Sequence, residues 1–235
     1  MRVAARVWLF DLDNTLHDAG HAAFASISAA MTAYIVEHLG VDEAVATALR
    51  QGYWRRYGAT LLGMVHHHGV EAAHFLEQTH RLPGLEERLR GSAHDRAALR
   101  RLPGRRYVLT NAPRRYALRV LTALGLRGAF DGVIAIEDMA MFGHLRPKPD
   151  RRMLTRVAAR LRVAPSHCVL VEDTLEHQKA AFGLGMKTVW MQRYLGRRVR
   201  GTAATGPFEV GVHHGRKPLY VYARIHSLQE LHKIR

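Results

Sequence analysis

Val7-Trp8-Leu9-Phe10-Asp11-Leu12-Asp13-Asn14-Thr15-Leu16 is the stretch on which the fold turns. Four apolar residues run without interruption, as in a parallel strand buried on both faces. They end in two carboxylates one residue apart. Side chains at i and i+2 of a strand point the same way, so Asp11 and Asp13 leave the strand end on one side. Two like charges that close repel unless a proton or a cation lies between them, and a hard, oxygen-seeking ion such as Mg²⁺ meets that need. The plainer alternative is an Asp-rich turn that merely leads into a helix, and the rest of the chain has to decide between them.

Working outward, the pattern after Leu16 is helical. Phe24, Ile27, Met31 and Ile35 recur at helical spacing up to Gly40. Asp42 is placed to cap a second helix reaching about Tyr57. Gly58, Gly63 and Gly69 then divide the chain into short pieces, with helices expected from about Glu71 and from Leu85 to Arg90. No strand signal interrupts residues 18–94, which we read as an all-helical insert. From Tyr107-Val108-Leu109-Thr110 onward, strands and helices alternate. Strands are expected at 132–136, 168–171 and 188–191, with helices through Tyr116–Leu124, Arg151–Arg162 and Glu176–Leu184. Such alternation predicts an α/β fold, a Rossmann-like doubly wound parallel sheet built from residues 1–17 and 95–235. Residues 196–218 read as a basic loop. Pro218–Ile225 reads as an added edge strand, and Ser227 should cap a last short helix.

In a parallel sheet the binding crevice lies beyond the carboxyl ends of the strands. Four polar clusters follow predicted strands: Asp11 and Asp13, Thr110 and Asn111, Lys148 in its loop, and Glu172 with Asp173. Converging, they would offer carboxylates to Mg²⁺ and a hydroxyl, an amide and an ammonium to a phosphate. A nucleophilic aspartate in such a pocket can take up a phosphoryl group.

In that order, Asp11-Leu12-Asp13-Asn14-Thr15, Thr110-Asn111, Lys148 and Glu172-Asp173-Thr174 resemble motifs I to IV of the haloacid dehalogenase (HAD) superfamily, over Val7 to about Met191. The resemblance implies a phosphatase with Asp11 as nucleophile, Asp13 as general acid and base, and Lys148 balancing charge. It further implies Thr110 and Asn111 on the phosphoryl oxygens, and Mg²⁺ on Asp11, the Asp13 carbonyl and Asp173, with Glu172 behind them. Dehalogenating members generally lack the second motif I aspartate, so Asp13 favours phosphate esters. The 18–94 insert resembles the helical C1 cap. Within it, Tyr57-Gly58-Ala59-Thr60-Leu61-Leu62-Gly63 resembles a segment of the pyrimidine 5'-nucleotidase branch, which implies Tyr57 and Thr60 as substrate contacts and UMP or CMP as substrate. Leu62 stands where yeast-type members carry Arg, and His177 where many relatives have Asn. Sugar phosphates, hydrolysed or transferred as by a phosphoglucomutase, are the alternative.

The chain of 235 residues carries 35 Lys and Arg against 20 Asp and Glu, a net charge of +15. That excess suits anionic partners, from phosphorylated metabolites to nucleic acid. Its spread along the sequence favours a basic solvated surface over a nucleic-acid footprint, and a basic binding protein on a HAD scaffold is the reading from another class. The one cysteine, Cys168, sits in an apolar run, excludes an internal disulfide and fits a reducing compartment. The longest uncharged run, 22–36, is too short for a bilayer and carries Ser26, Ser28 and Thr32. A cytoplasmic enzyme without a membrane partner is expected. His66-His67-His68 cannot share one helix face, since neighbouring residues point about 100° apart. Only a pairing of His66 or His67 with His74 could suggest a metal, and surface histidines are expected instead.

Overall fold

The computed structural model describes residues 6–195 and 216–234. It begins with β1 (Val7–Phe10), wholly buried. Six helices follow: α1 (Ala19–Ala22), α2 (Phe24–Leu39), α3 (Glu43–Tyr57), α4 (Thr60–His68), α5 (Ala72–Thr79) and α6 (Leu85–Arg88). Gly40 and Gly58 stop α2 and α3 in the left-handed conformation that glycine adopts without steric cost, and the Asp42 side chain accepts the Val45 N–H at the start of α3. α7 (Ala93–Arg101), β2 (Arg105–Leu109), α8 (Arg114–Ala123) and β3 (Gly132–Ile134) come next. A two-stranded hairpin, β4 (Ala140–Met141) and β5 (His144–Leu145), leads to α9 (Arg151–Arg160), β6 (Cys168–Glu172), α10 (Leu175–Phe182), β7 (Lys187–Met191) and β8 (Ala223–Ile225).

The main sheet has the order β3-β2-β1-β6-β7-β8, and every pairing is parallel. This is the doubly wound α/β sheet that the strand–helix alternation predicts. One layer of core joins Leu9, Leu109 and Leu170 to Met153, Leu154 and Val157 of α9 and Ala181 of α10. Trp8 and Phe10 pack on Phe10 and Phe130 respectively as ring pairs.

The chain divides into two compact units. One holds residues 19–88, all helical; the other holds the sheet with its flanking helices. α7 groups with the sheet, so the division falls at Arg88, where the sequence pattern put it at 94. Its anchor is Asp95, whose carboxylate takes a two-pronged contact from Arg193 just after β7. Sequence periodicity could not reveal that pairing.

The expected edge strand over 218–225 shortens to three residues. Pro218 starts a turn closed by the Val221 N–H on its carbonyl, and Lys217 Nζ donates to the Val221 and Tyr222 carbonyls, so only Ala223–Ile225 remain for the ladder. The final helix forms as a 3₁₀ segment, Leu228–Lys233, capped by Ser227. Most of the basic loop assigned to 196–218 lies outside the described residues. Among those residues, no single helix is long and apolar enough to cross a membrane.

Candidate active site

Parallel pairing puts the carboxyl ends of β1, β2 and β6 side by side. Phe10 is level with Val108 and Val171, so the next residue, Asp11, stands beside Glu172, and its N–H donates to the Val171 carbonyl. After Asp13 the chain turns sharply through Asn14, held at φ 58°, a left-handed conformation that asparagine tolerates better than most side chains. The Leu16 N–H then closes on the Leu12 carbonyl.

Three carboxylates, Asp11, Glu172 and Asp173, cluster with ligand oxygens all within 4.8 Å of one another. One ammonium answers them. Lys148, 1% exposed, places Nζ 2.6 Å from Asp11 Oδ1 and 2.8 Å from Glu172 Oε2. Its loop is clamped by Asn111, whose amide accepts from the Lys148 N–H and donates to the Lys148 carbonyl, both at 2.9 Å. Asn111, expected on a phosphate, thus spends both ends of its side chain holding the lysine. Thr110 is buried; its hydroxyl oxygen accepts the Ala112 N–H and keeps its own O–H to give.

Glu172 is saturated. One oxygen accepts from the Asp173 and Thr174 main chain, the other from Lys148, and His177 Nδ1 stands 3.0 Å from it. Lys148 occupies a single oxygen of Asp11, and Thr174 a single oxygen of Asp173. Gln178 and Trp190 donate to the carbonyls of Glu172 and Asp173 and fix that backbone.

The electrostatics follow from burial. Desolvation, reinforced by the Glu172 charge, pushes Asp11 up to about 8 against the pull of Lys148. Burial and the charges of Glu172 and Asp11 likewise hold Asp173 well above the usual carboxylate range. Burial would raise Glu172 too, but Lys148 and His177 outweigh it and hold it well below. For Lys148, burial disfavours the charge, and Asp11 and Glu172 overcome it, leaving the ammonium firmly protonated. Added positive charge would favour ionisation of Asp11 and Asp173 beside Glu172. An all-oxygen donor set of this kind fits a hard divalent cation such as Mg²⁺ and does not suit a soft one.

Asp13 is held from two sides. Tyr116 O–H donates to Asp13 Oδ1 at 2.7 Å, and His17 Nε2 lies 2.9 Å from the same oxygen. Burial, then the neighbouring Asp13 charge, keeps the Tyr116 hydroxyl well above its ordinary value, so it remains a donor. Sequence periodicity marked Tyr116 as an apolar-face residue and gave His17 no role. The only available signal was the spacing of four between Asp13 and His17.

Tyr57 and Thr60 belong to the helical unit. Tyr57 O–H pairs with His67 Nε2 at 2.6 Å, and Thr60, 3% exposed, donates to the Arg50 carbonyl at 3.0 Å. Thr60 therefore ties α3 to α4. His68 pairs with Tyr53, and His74 with Tyr34, so neither His66 nor His67 meets His74 in a shared metal site among the described residues.

A family model described as haloacid dehalogenase-like hydrolase matches residues 5–185. The chain is similar to "Phosphate metabolism protein 8" of Saccharomyces cerevisiae, 21% identical over 196 residues that make up 78% of this chain and 60% of that protein. It thus spans about 60% of the length of that curated relative. Among solved structures it resembles the HAD-hydrolase YfnB of Bacillus subtilis, described as bound to magnesium, at TM-score 0.56 and 21% identity over 98% of both chains. It also resembles a HAD phosphatase from Thermococcus onnurineus, at 0.56 and 20% over 97% of both. An L-2-haloacid dehalogenase from Xanthobacter autotrophicus gives 0.57 and 16%, again over 97% of both. With the family model covering more than two thirds of the sequence and the same sheet beneath it, this chain belongs to the haloacid dehalogenase-like hydrolases.

Proposed function

We propose that the protein is a Mg²⁺-dependent phosphomonoester hydrolase that works through an aspartyl-phosphate and acts on pyrimidine nucleoside 5'-monophosphates. The strongest support is the division of labour between two aspartates at one strand end. Asp11 has one oxygen fixed on a buried ammonium, while Asp13 has one oxygen fixed by Tyr116 and His17.

With Lys148 on Oδ1, the other Asp11 oxygen is the nucleophile. It forms a bond to phosphorus as the ester P–O bond breaks, and Asp13 gives its proton to the departing alkoxide. Asp13, now a carboxylate, takes a proton from water. The water oxygen bonds to phosphorus, the Asp11–phosphorus bond breaks, and inorganic phosphate leaves with Asp13 reprotonated. Thr110 O–H donates to a phosphoryl oxygen, and Lys148 balances the charge that gathers on Asp11 and the transferring group. Mg²⁺, held by the Asp11 carboxylate, the Asp13 carbonyl and Asp173 with Glu172 behind them, would supply positive charge to the phosphoryl oxygens.

The name of the yeast relative places that protein in phosphate metabolism, and the Thermococcus structure is named a phosphatase. Both lend support to a phosphate ester over a haloacid, as does Asp13. The helical unit, in the role of a C1 cap, is where we assign base preference, on the resemblance carried by Tyr57–Gly63.

Phosphate release from UMP, CMP, dTMP, AMP, GMP and sugar phosphates, with Mg²⁺ or EDTA and beside Asp11→Asn, tests this. Turnover that needs Mg²⁺ and Asp11 and is fastest on UMP or CMP is the expected result. Activity confined to sugar phosphates would remove the nucleobase assignment. No release from any ester would overturn the phosphatase reading.

A further inference from the structure

α9 breaks the rules by which a surface helix is usually stabilised. Its ten residues include Arg151, Arg152, Arg156 and Arg160, and no acidic residue occurs from Arg151 until Glu172. All four arginines are exposed. Arg151 and Arg152 occupy the first turn, where the helix dipole disfavours cations. Arg152, Arg156 and Arg160 follow one another at i, i+4, where like charges repel. Rising about 1.5 Å per residue, these three form a straight row about 12 Å long. The helix does not need this row to fold; its apolar face, Met153, Leu154, Val157 and Ala158, already seats it on the sheet.

Compensation within the fold is slight. Arg151 donates to the Gly183 carbonyl, Arg156 donates to the Ala140 carbonyl, and Arg160 lies 3.4 Å from Asp138 with its side chain 62% exposed. The Arg152 guanidinium makes no hydrogen bond or ion pair among the described residues. Local rules broken without a stabilising return are where function is to be sought.

A second feature of the same unit lies at the N-terminal end of α9, where Arg151 neighbours Arg152. A surface groove of about 600 Å³ starts at Arg151 and is lined by Lys179, Phe182, Leu219 and Tyr220, with Glu176 as its one acidic residue. Phe182 is 52% exposed and Leu219 wholly exposed, an unusual outlay of apolar surface beside so much charge. Cations in a line, leading to an open groove with an aromatic face, are the two parts of a single-strand binding surface: charge for the phosphates and rings for the bases.

We propose that α9 and this groove bind single-stranded nucleic acid, with phosphates along Arg152, Arg156 and Arg160 and bases against Phe182. A duplex keeps its bases stacked inside and could use only the row. An acidic peptide would satisfy the row but has no base to place on the ring. The proposal stands apart from the phosphatase reading, because none of these residues belongs to the Asp11 site.

The test uses the full-length protein and fluorescein-labelled oligo(U), oligo(dT) and a duplex DNA of equal length, followed by fluorescence anisotropy. Four contacts, the three arginines and Lys179, give a single-strand salt slope of roughly −2.8, so affinity should fall about 50-fold between about 50 and about 200 mM salt. Arg152→Gln/Arg160→Gln should halve that slope, and Phe182→Ala should weaken single-strand binding on the order of tenfold while sparing the duplex. Unchanged melting curves would certify that the variants fold. Absence of binding to any oligonucleotide at low salt would overturn the proposal. So would binding untouched by the arginine pair, a duplex bound as tightly as the single strands, or tighter binding to poly-glutamate or phosphatidylserine vesicles.

Discussion

Lys148→Met removes one charge and little volume, which makes it the sharpest probe of the Asp11 cluster. The ammonium is the contact shared by Asp11 and Glu172, at 2.6 and 2.8 Å, and all three groups are buried. Deleting one member of a buried ion pair costs about 3–5 kcal/mol, because the partner stays behind uncompensated. For a chain of 235 residues that is a melting temperature lower by about 6–10 °C, taking roughly 2 °C per kcal/mol. Glu172, held well below its ordinary range by this lysine first and His177 second against the effect of burial, then loses its largest compensating charge, and taking up a proton relieves the loss. Each pH unit of acidification eases that by up to about 1.4 kcal/mol, so the defect should shrink from pH 7.5 to 5.5. Circular dichroism melts in EDTA at both pH values measure it. Adding Glu172→Gln to Lys148→Met should recover at least half of the loss, since the stranded charge is then gone. A loss below about 1 kcal/mol, or one that ignores both pH and Glu172→Gln, would refute the ion-pair reasoning.

In the metal-free protein Asp11 titrates near 8 rather than at the ordinary carboxylate value, so it contributes stability below about pH 4 that is lost as pH rises towards 8. Chemical denaturation in EDTA across that window should show stability falling with pH more steeply than in Asp11→Asn, and saturating Mg²⁺ should flatten the difference; equal slopes would contradict it. Gly63→Ala, normally a gain inside a helix, should cost about 1–3 kcal/mol by melting, because the new Cβ would lie 2.1 Å from Tyr53 Cγ and the ring root cannot swing aside. Burial pushes the Cys168 thiol up to about 11, leaving roughly one thiolate in a thousand at pH 8. Iodoacetamide should label native protein at least about a hundredfold more slowly than urea-unfolded protein, and rapid native labelling would show an open site.

What the sequence revealed and what it hid divide along a physical line. A parallel strand must be apolar on both faces, so Val7–Phe10, Val108–Leu109 and Cys168–Val171 announce themselves, and parallel connections bring their carboxyl ends to one edge whatever the loops do. The structure brings Asp11, Glu172 and Asp173 together, with Lys148 against two of them. Periodicity assigns a face, however, and not an atom. It could not show that the Asn111 amide is consumed by the Lys148 loop, that the Thr60 hydroxyl is spent on Arg50, or that α7 is bound to the sheet through Asp95 and Arg193. Each of those depends on a partner 10 to 98 positions away.

Tyr116 shows the same limit with the largest consequence. Its spacing with Val120 and Leu121 marks an inward-facing residue of α8, and it is 1% exposed. A buried tyrosine still carries an O–H that must find an acceptor, and here the acceptor is Asp13 Oδ1. Because burial keeps that hydroxyl protonated, Oδ1 has a constant donor, with His17 beside it. The two oxygens of Asp13 are thereby made unequal: one is committed to the fold, and in the mechanism we propose the other gives and takes the proton. On that proposal, a buried aromatic ring 103 positions along the chain sets the direction in which the second aspartate acts.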